Sequence, residues 1–250
     1  CTGDHVSREV RATEAVYKLP EKKLVKFGYP FADKLIEAGE KERAEHIPTE
    51  KKEILIAPSW QEDNLLDSCV DTLIEKLYCK DYHITVRPHP EYVKRYGARM
   101  QAIVDRFADK VGDQLSFELD FSKNKSVYSS DLLITDWSGI ALEYCFATKR
   151  PALFVNTKIK CLNPNWEKID CTPVEIELRN KLGRAVDKEE LAECYGQGGP
   201  YSFMVEGTEG TIFANAITGP AVTEQTPGTT RGAHGNRPEK GPQPIFMAHG

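Results

Sequence analysis

From Glu53 onward the chain alternates short apolar runs with longer amphipathic stretches. "EILIAPSW" is an apolar run closed by Pro58, which predicts a buried strand. Leu66, Cys69, Val70, Leu73, Ile74 and Leu77 then recur at helical spacing and define one apolar face. "HITVRPHP" predicts a second strand, stopped by Pro88 and Pro90. Val93, Tyr96, Met100, Ile103, Val104 and Phe107 form the next helical stripe. "LSFELD", "LLITDW", "PALFVN" and "GRAVD" predict four further strands. Helices are expected around Lys125–Ser130, from Gly139 to Thr148, and over "KEELAECY".

Strands that are apolar on both faces and alternate with helices imply a parallel sheet covered on both sides. The expected fold is α/β, a Rossmann-like doubly wound parallel sheet over residues 51–217. Residues 1–50 show weak periodicity and read as a connecting region from a missing N-terminal domain. Within it, "LVKFGYPFADKLIEAG" suggests a short strand, a turn at Gly28-Tyr29-Pro30 and a helix from about Ala32. The chain opens on Cys1, which fits a fragment. Residues 218–250 contain 6 Gly and 5 Pro in 33 positions, so a disordered C-terminal tail is expected there.

Composition narrows the classes. With 40% hydrophobic residues the chain can build a core, and a net charge of −5 argues against a general nucleic-acid binder. No apolar run approaches the ~20 residues that span a bilayer. The first thirty residues lack the apolar stretch of a signal peptide. Seven cysteines with no C-x-x-C pair read as buried, reduced thiols of a cytosolic protein. No Cys/His spacing suits zinc, so no metal site is expected.

In an open parallel sheet, ligands bind beyond the carboxyl ends of the strands. There the sequence places Ser59, Arg87, His89, Asp136, Ser138 and Gly139. Ser138-Gly139 open a helix, whose start attracts phosphate; the alternative is that Ser138 only caps it. Glu143, one turn on, can accept hydrogen bonds from a ribose diol, or can be a solvated surface acid. Asp136, ending a buried strand, suits holding its loop by backbone hydrogen bonds, with direct ligand contact as the alternative. Arg87 and His89 suit a cationic pair for a diphosphate, against the alternative of a turn with an exposed His. No nucleophile elbow, P-loop or H-E-x-x-H motif is present, which excludes the usual covalent hydrolases.

"GYP…DKL" (Gly28–Leu35), "ILIAPSW" (Ile54–Trp60), "VRPHPE" (Val86–Glu91) and "SDLLITDWSGIALEY…KRPALFVN" (Ser130–Asn156) occur in that order. Together they resemble the C-terminal half of the CDP-glycerol glycerophosphotransferases, which build teichoic acids and related surface polymers. The resemblance implies a GT-B fold, two Rossmann-like domains facing a cleft, with this chain as the C-terminal, donor-binding domain. It implies a transferase that moves glycerol phosphate, or another polyol phosphate, from a CDP-linked donor to an acceptor hydroxyl and releases CMP. Donor contacts would fall to Ser59, His89, Asp136, Ser138, Gly139 and Glu143. His89 and Arg87 would stabilise the leaving group. No cofactor is implied besides the CDP-glycerol donor. The acceptor would be lipid-linked or polymeric, and the setting cytoplasmic, at the inner membrane face. A general base has no candidate in residues 50–200 and is expected in the absent domain. The family often carries Tyr and a second Ser where this chain has Trp137 and Gly139. "TDWSGIALE" is also similar to a motif of the UDP-GlcNAc 2-epimerases, where the acid at the place of Glu143 binds ribose. A UDP-sugar glycosyltransferase or epimerase, and a non-catalytic nucleotide-binding fragment, are therefore the competing readings.

Overall fold

The computed structural model describes residues 1–45, 51–78, 82–161 and 163–191, and the backbone of three strands beyond them. Six strands form one parallel sheet: β1 (Lys52–Ile56), β2 (Tyr82–Val86), β3 (Leu115–Phe117), β4 (Leu132–Thr135), β5 (Ala152–Asn156) and β6 (Gly183–Asp187). Their order is β3-β2-β1-β4-β5-β6, and every pairing is parallel. This is the doubly wound arrangement expected, with the order reversing between β1 and β4.

Helices cover both faces, which is why β4 and β5 are apolar on both; β2 keeps His83 and Thr85 at alternate positions, bonded to Glu53 and Ser116. Ile54 and Ile56 of β1 point into one core, with Leu73, Ile74, Ile84, Ile134 and Val155. Leu55, between them, joins Leu133, Tyr144, Phe154 and Leu182 in the other. The first core is closed by α3 (Leu65–Ser68), α4 (Val70–Leu77) and α5 (Pro90–Arg106). The second is closed by α6 (Lys125–Ser129), α7 (Ile140–Thr148) and α8 (Val174–Leu182).

Two helical stripes are interrupted where the sequence predicts continuity. Cys69 adopts φ −150°, ψ 9° and divides α3 from α4. Tyr96 adopts φ −126°, ψ 37° and kinks α5.

The expected connecting region is more ordered than its periodicity suggests. It contains α1 (Asp4–Tyr17) and α2 (Pro30–Glu45). Polar contacts help hold α1, none of whose apolar residues is fully buried. Glu14, its buried residue, pairs with Arg11 at 2.6 Å and accepts the Lys22 N–H at 2.7 Å. The Cys1 ammonium donates to the Val25 carbonyl at 2.7 Å. The short strand expected before Gly28 is absent; Val25 and Phe27 are exposed and pair with no sheet. α2 packs on α7 through Gly39, where a Cβ would lie 2.1 Å from the Ala147 carbonyl oxygen.

After Asp187 a further helix begins at Lys188. Strands β7 (Phe203–Gly207), β8 (Gly210–Ala214) and β9 (Val222–Gln225) form a separate antiparallel sheet. β9 lies inside the stretch expected to be disordered, and the rest of residues 218–250 lies outside the described residues.

Candidate functional site

All six parallel strands end at one edge of the sheet. The loops after β1 and β4, which flank the point of reversal, meet there through Asp136. Its Oδ1 accepts the N–H of Ser59 at 2.8 Å and of Trp137 at 2.6 Å. Its Oδ2 accepts the N–H of Leu65 at 2.9 Å. Asp136 is buried, and three backbone donors engage its two oxygens. These three backbone bonds suit Asp136 to holding its loop.

Ser59 is buried beside it, with its N–H given to Asp136 and its Oγ without a partner among the described residues. Gln61 Oε1 and Thr157 Oγ1, on the loops after β1 and β5, are unpartnered too. Unpaired buried polar atoms are costly and uncommon; three lie here at the strand ends, while Asp71 Oδ1 and Ser126 Oγ lie elsewhere in the fold.

His89 is half-buried and caps α5, its Nδ1 accepting the Glu91 N–H at 3.1 Å. An Nδ1 that accepts places the proton of a neutral imidazole on Nε2. Burial first, then the charge of Lys160, pushes the His89 pKa below its ordinary value. His89 is therefore a neutral Nε2–H donor near neutral pH.

Arg87 does not join it as a cationic pair. Arg87 is buried, paired with Glu118, and donates to the Lys123 carbonyl at 3.0 Å and to Asn124 Oδ1 at 2.8 Å. Its ring partner is Phe121, 5.5 Å away. The guanidinium ties β2 to the loop between β3 and α6, because burial there demands a full set of acceptors.

At the start of α7, Ile140 N–H reaches Ser138 Oγ at 3.5 Å, a long contact. Gly139 is right-handed, at φ −64°, ψ −16°, and exposed. A Cβ there would meet nothing within 4 Å. The glycine leaves open space over the first turn and relieves no backbone strain. Glu143 is half-buried, and burial alone raises its carboxyl pKa. Burial first, then the Glu143 charge, pushes up the pKa of the Tyr128 phenol on α6.

Arg179 on α8 escaped the sequence reading. It is buried, with its guanidinium carbon 3.8 Å from the Trp137 ring centroid and 4.9 Å from that of Phe154. It donates to the Asp136 carbonyl at 2.9 Å and to Asn156 Oδ1 at 2.6 Å. Desolvation lowers its pKa to about 10, so it stays charged. A lone arginine on a short helix carries no sequence signal for this role; only the fold brings it under Trp137. The cavity it lines with Trp137, Ser138 and Gly139 is about 20 Å³, room for a water and far below a nucleotide.

Residues 5–160 match the family described as CDP-glycerol:poly(glycerophosphate) glycerophosphotransferase. The chain belongs to that family. Among solved structures, the wall teichoic acid polymerase TagF, as a histidine-to-asparagine variant soaked with CDPG, aligns at 21% identity with a TM-score of 0.44. The alignment covers 73% of this chain and 44% of that one. Comparison with curated proteins gives no match. The matched span of this glycerophosphotransferase-family chain includes Ser59, His89, Asp136, Ser138, Gly139 and Glu143, and ends before Arg179.

Cys69 and Cys145 are buried, their thiols pushed up to about 11 and about 12 by desolvation. Cys161 is exposed and Cys1 and Cys171 are half-buried, so the expectation of uniformly buried thiols does not hold. Among the described residues no cluster of three metal-ligating side chains occurs, and no helix is long and apolar enough to cross a membrane.

Proposed function

We propose that this chain provides the donor site of a transferase that moves glycerol phosphate, or a related polyol phosphate, from a CDP-linked donor to an acceptor hydroxyl. The observation that carries this reading is His89, held neutral with its Nδ1 engaged and Nε2–H free to donate, on the same edge as the α7 start. Family membership supplies the donor class.

In the proposed reaction the acceptor oxygen attacks the phosphorus that bears the glycerol. A new P–O bond forms there, and the P–O bond to CMP breaks. The acceptor proton passes to a base outside this site, and CMP leaves with the electron pair. His89 Nε2–H and the N–H groups at the α7 start would stabilise the leaving phosphate, with Ser138 orienting it. Glu143 would take the ribose hydroxyls, since a desolvated carboxylate gains most from new hydrogen-bond donors. Asp136 and Arg87 would act through loop position. Catalysis of this kind rests on positioning and charge stabilisation.

Exposed Val25, Phe27, Tyr29 and Phe31 support peripheral contact with a membrane surface, where a lipid-linked acceptor would sit; Lys22 and Lys26 beside them are paired with Glu14 and Asp4.

Calorimetric titration with CDP-glycerol, CDP, UDP and UDP-GlcNAc tests the donor reading. Tighter binding of the cytidine ligands is expected. Preference for the uridine ligands would instead favour a nucleotide-sugar enzyme.

A further inference from the structure

Trp60, on the loop after β1, has a cation near its ring from each of two other segments. The Arg95 guanidinium, from α5, lies 4.9 Å from the ring centroid, and the Lys160 ammonium, from the loop after β5, lies 5.6 Å away. Two like charges repel, and an indole face offsets this only in part. An anion is the natural third partner.

The local balance is positive. Glu91 is shared between Arg95, through Nε at 3.0 Å, and Lys94, at 3.8 Å. Arg95 thus keeps its terminal Nη groups for another acceptor. Lys160 has no carboxylate within ion-pair distance among the described residues, whereas its neighbour Lys158 pairs with Asp63 at 3.1 Å. The loops after β1 and β5 are also bonded to each other, Gln61 Nε2 donating to the Lys158 carbonyl at 3.4 Å. Close by in sequence stand the unpartnered Gln61 Oε1 and Thr157 Oγ1. Glu91, the partner of Arg95, gives its N–H to His89 Nδ1 at 3.1 Å, so the cluster borders the proposed donor site.

We infer that Trp60, Arg95 and Lys160 form a subsite for a phosphate or phosphodiester anion beside His89. The subsite rests on the donor-site reading only for its ligand's source. That source is either the donor's diphosphate or the phosphodiester of an acceptor chain, and both present the same singly bonded anionic oxygens. Arg95 supplies a planar fork for them and Lys160 a point charge.

The test is calorimetry on the full chain with pyrophosphate, CDP and a synthetic glycerol phosphate trimer. Parent, Lys160→Met and Arg95→Met proteins are compared, with Lys160→Arg as the charge-retaining control. Each Met variant should weaken at least one probe roughly ten-fold, as expected for loss of one charge-assisted hydrogen bond, and Lys160→Arg should largely restore it. Loss on CDP with the trimer unchanged assigns the subsite to the donor; the reverse assigns it to the acceptor chain. A parent that binds pyrophosphate or trimer in a Lys160-dependent way but not CDP keeps the subsite and removes the donor reading. A parent that binds CDP while both Met variants match it on every probe overturns the subsite and leaves the donor reading standing. A parent that binds no probe overturns both. Unchanged thermal unfolding of these surface variants excludes misfolding as the cause.

Discussion

Asp136 Oδ1 accepts the backbone N–H of Ser59 at 2.8 Å, joining the two loops that flank the sheet's point of reversal. The same carboxylate takes the Leu65 N–H at 2.9 Å through its other oxygen. One side chain just past β4 therefore ties the β1–α3 loop at both ends, and Asn64 braces it further by donating to the Ser59 carbonyl at 2.9 Å.

Asp136→Asn should be costly. The amide keeps one acceptor oxygen and turns an NH2 toward a backbone N–H. A loss of about 2–4 kcal/mol is expected from an unpaired, buried donor pair. Urea unfolding of parent and variant measures it; a change within error would mean the loop is held by other contacts.

His89 should titrate below 6.5, the ordinary value. A folded pKa below the unfolded one means the folded state binds fewer protons. The associated stability is complete above about 6.5 and is lost as pH falls toward the folded pKa. The imidazole proton NMR signals give the midpoint directly. Lys160→Met should move that midpoint up, since Lys160 is one of the causes that lower it. In binding, His89→Ala should weaken CDP far more than cytidine; equal loss on both would deny a diphosphate contact.

Glu143→Gln separates binding from stability. Burial raises the Glu143 carboxyl above 4.5. The folded state therefore holds its proton more tightly, and stability falls as pH rises from about 4.5 through the folded pKa. Removing the charge should raise Tm at pH 8 and leave it unchanged at pH 4. The same variant should weaken CDP more than its 2′,3′-dideoxy analogue. Equal weakening would move Glu143 off the ribose.

Gly39→Ala tests the helix contact that residues 1–50 contribute. Its Cβ would fall 2.1 Å from the Ala147 carbonyl oxygen, so α2 must lift off α7. A loss of about 1–3 kcal/mol is expected from such overpacking. Chemical denaturation reads it, with Gly97→Ala as a control, because a Cβ at Gly97 meets nothing within 4 Å.

Arg179→Lys should weaken donor binding without unfolding the sheet. Lysine keeps the charge but cannot both stack on Trp137 and bond the Asp136 carbonyl and Asn156. Near-ultraviolet circular dichroism should report altered Trp137 packing, and calorimetry the affinity. Unchanged spectra would show that Trp137 keeps its place unaided.

Much of this was legible in one dimension. Ile54-Leu55-Ile56 and Leu132-Leu133-Ile134 are apolar without alternation, and that pattern arises when both faces of a strand are buried. The parallel sheet and its polar edge follow from it, as do Ser59, His89, Asp136, Ser138, Gly139 and Glu143 as residues of that edge. What periodicity could not carry was polar. α1 is held by Glu14, Arg11 and Lys22, groups that read as an ordinary solvated helix face.

Tertiary structure alone decided which charge goes where. Arg87 and His89 are two residues apart, yet one is buried among acceptors and the other sits half-buried at the start of a helix. Arg179 and Lys160 carry no local signal, because the partners that give them meaning, Trp137 and Trp60, are distant in sequence. Hydrophobic pattern is a property of neighbouring positions and survives in the sequence. Desolvation and charge pairing depend on what the fold brings within a few ångströms, and only the folded chain sets that.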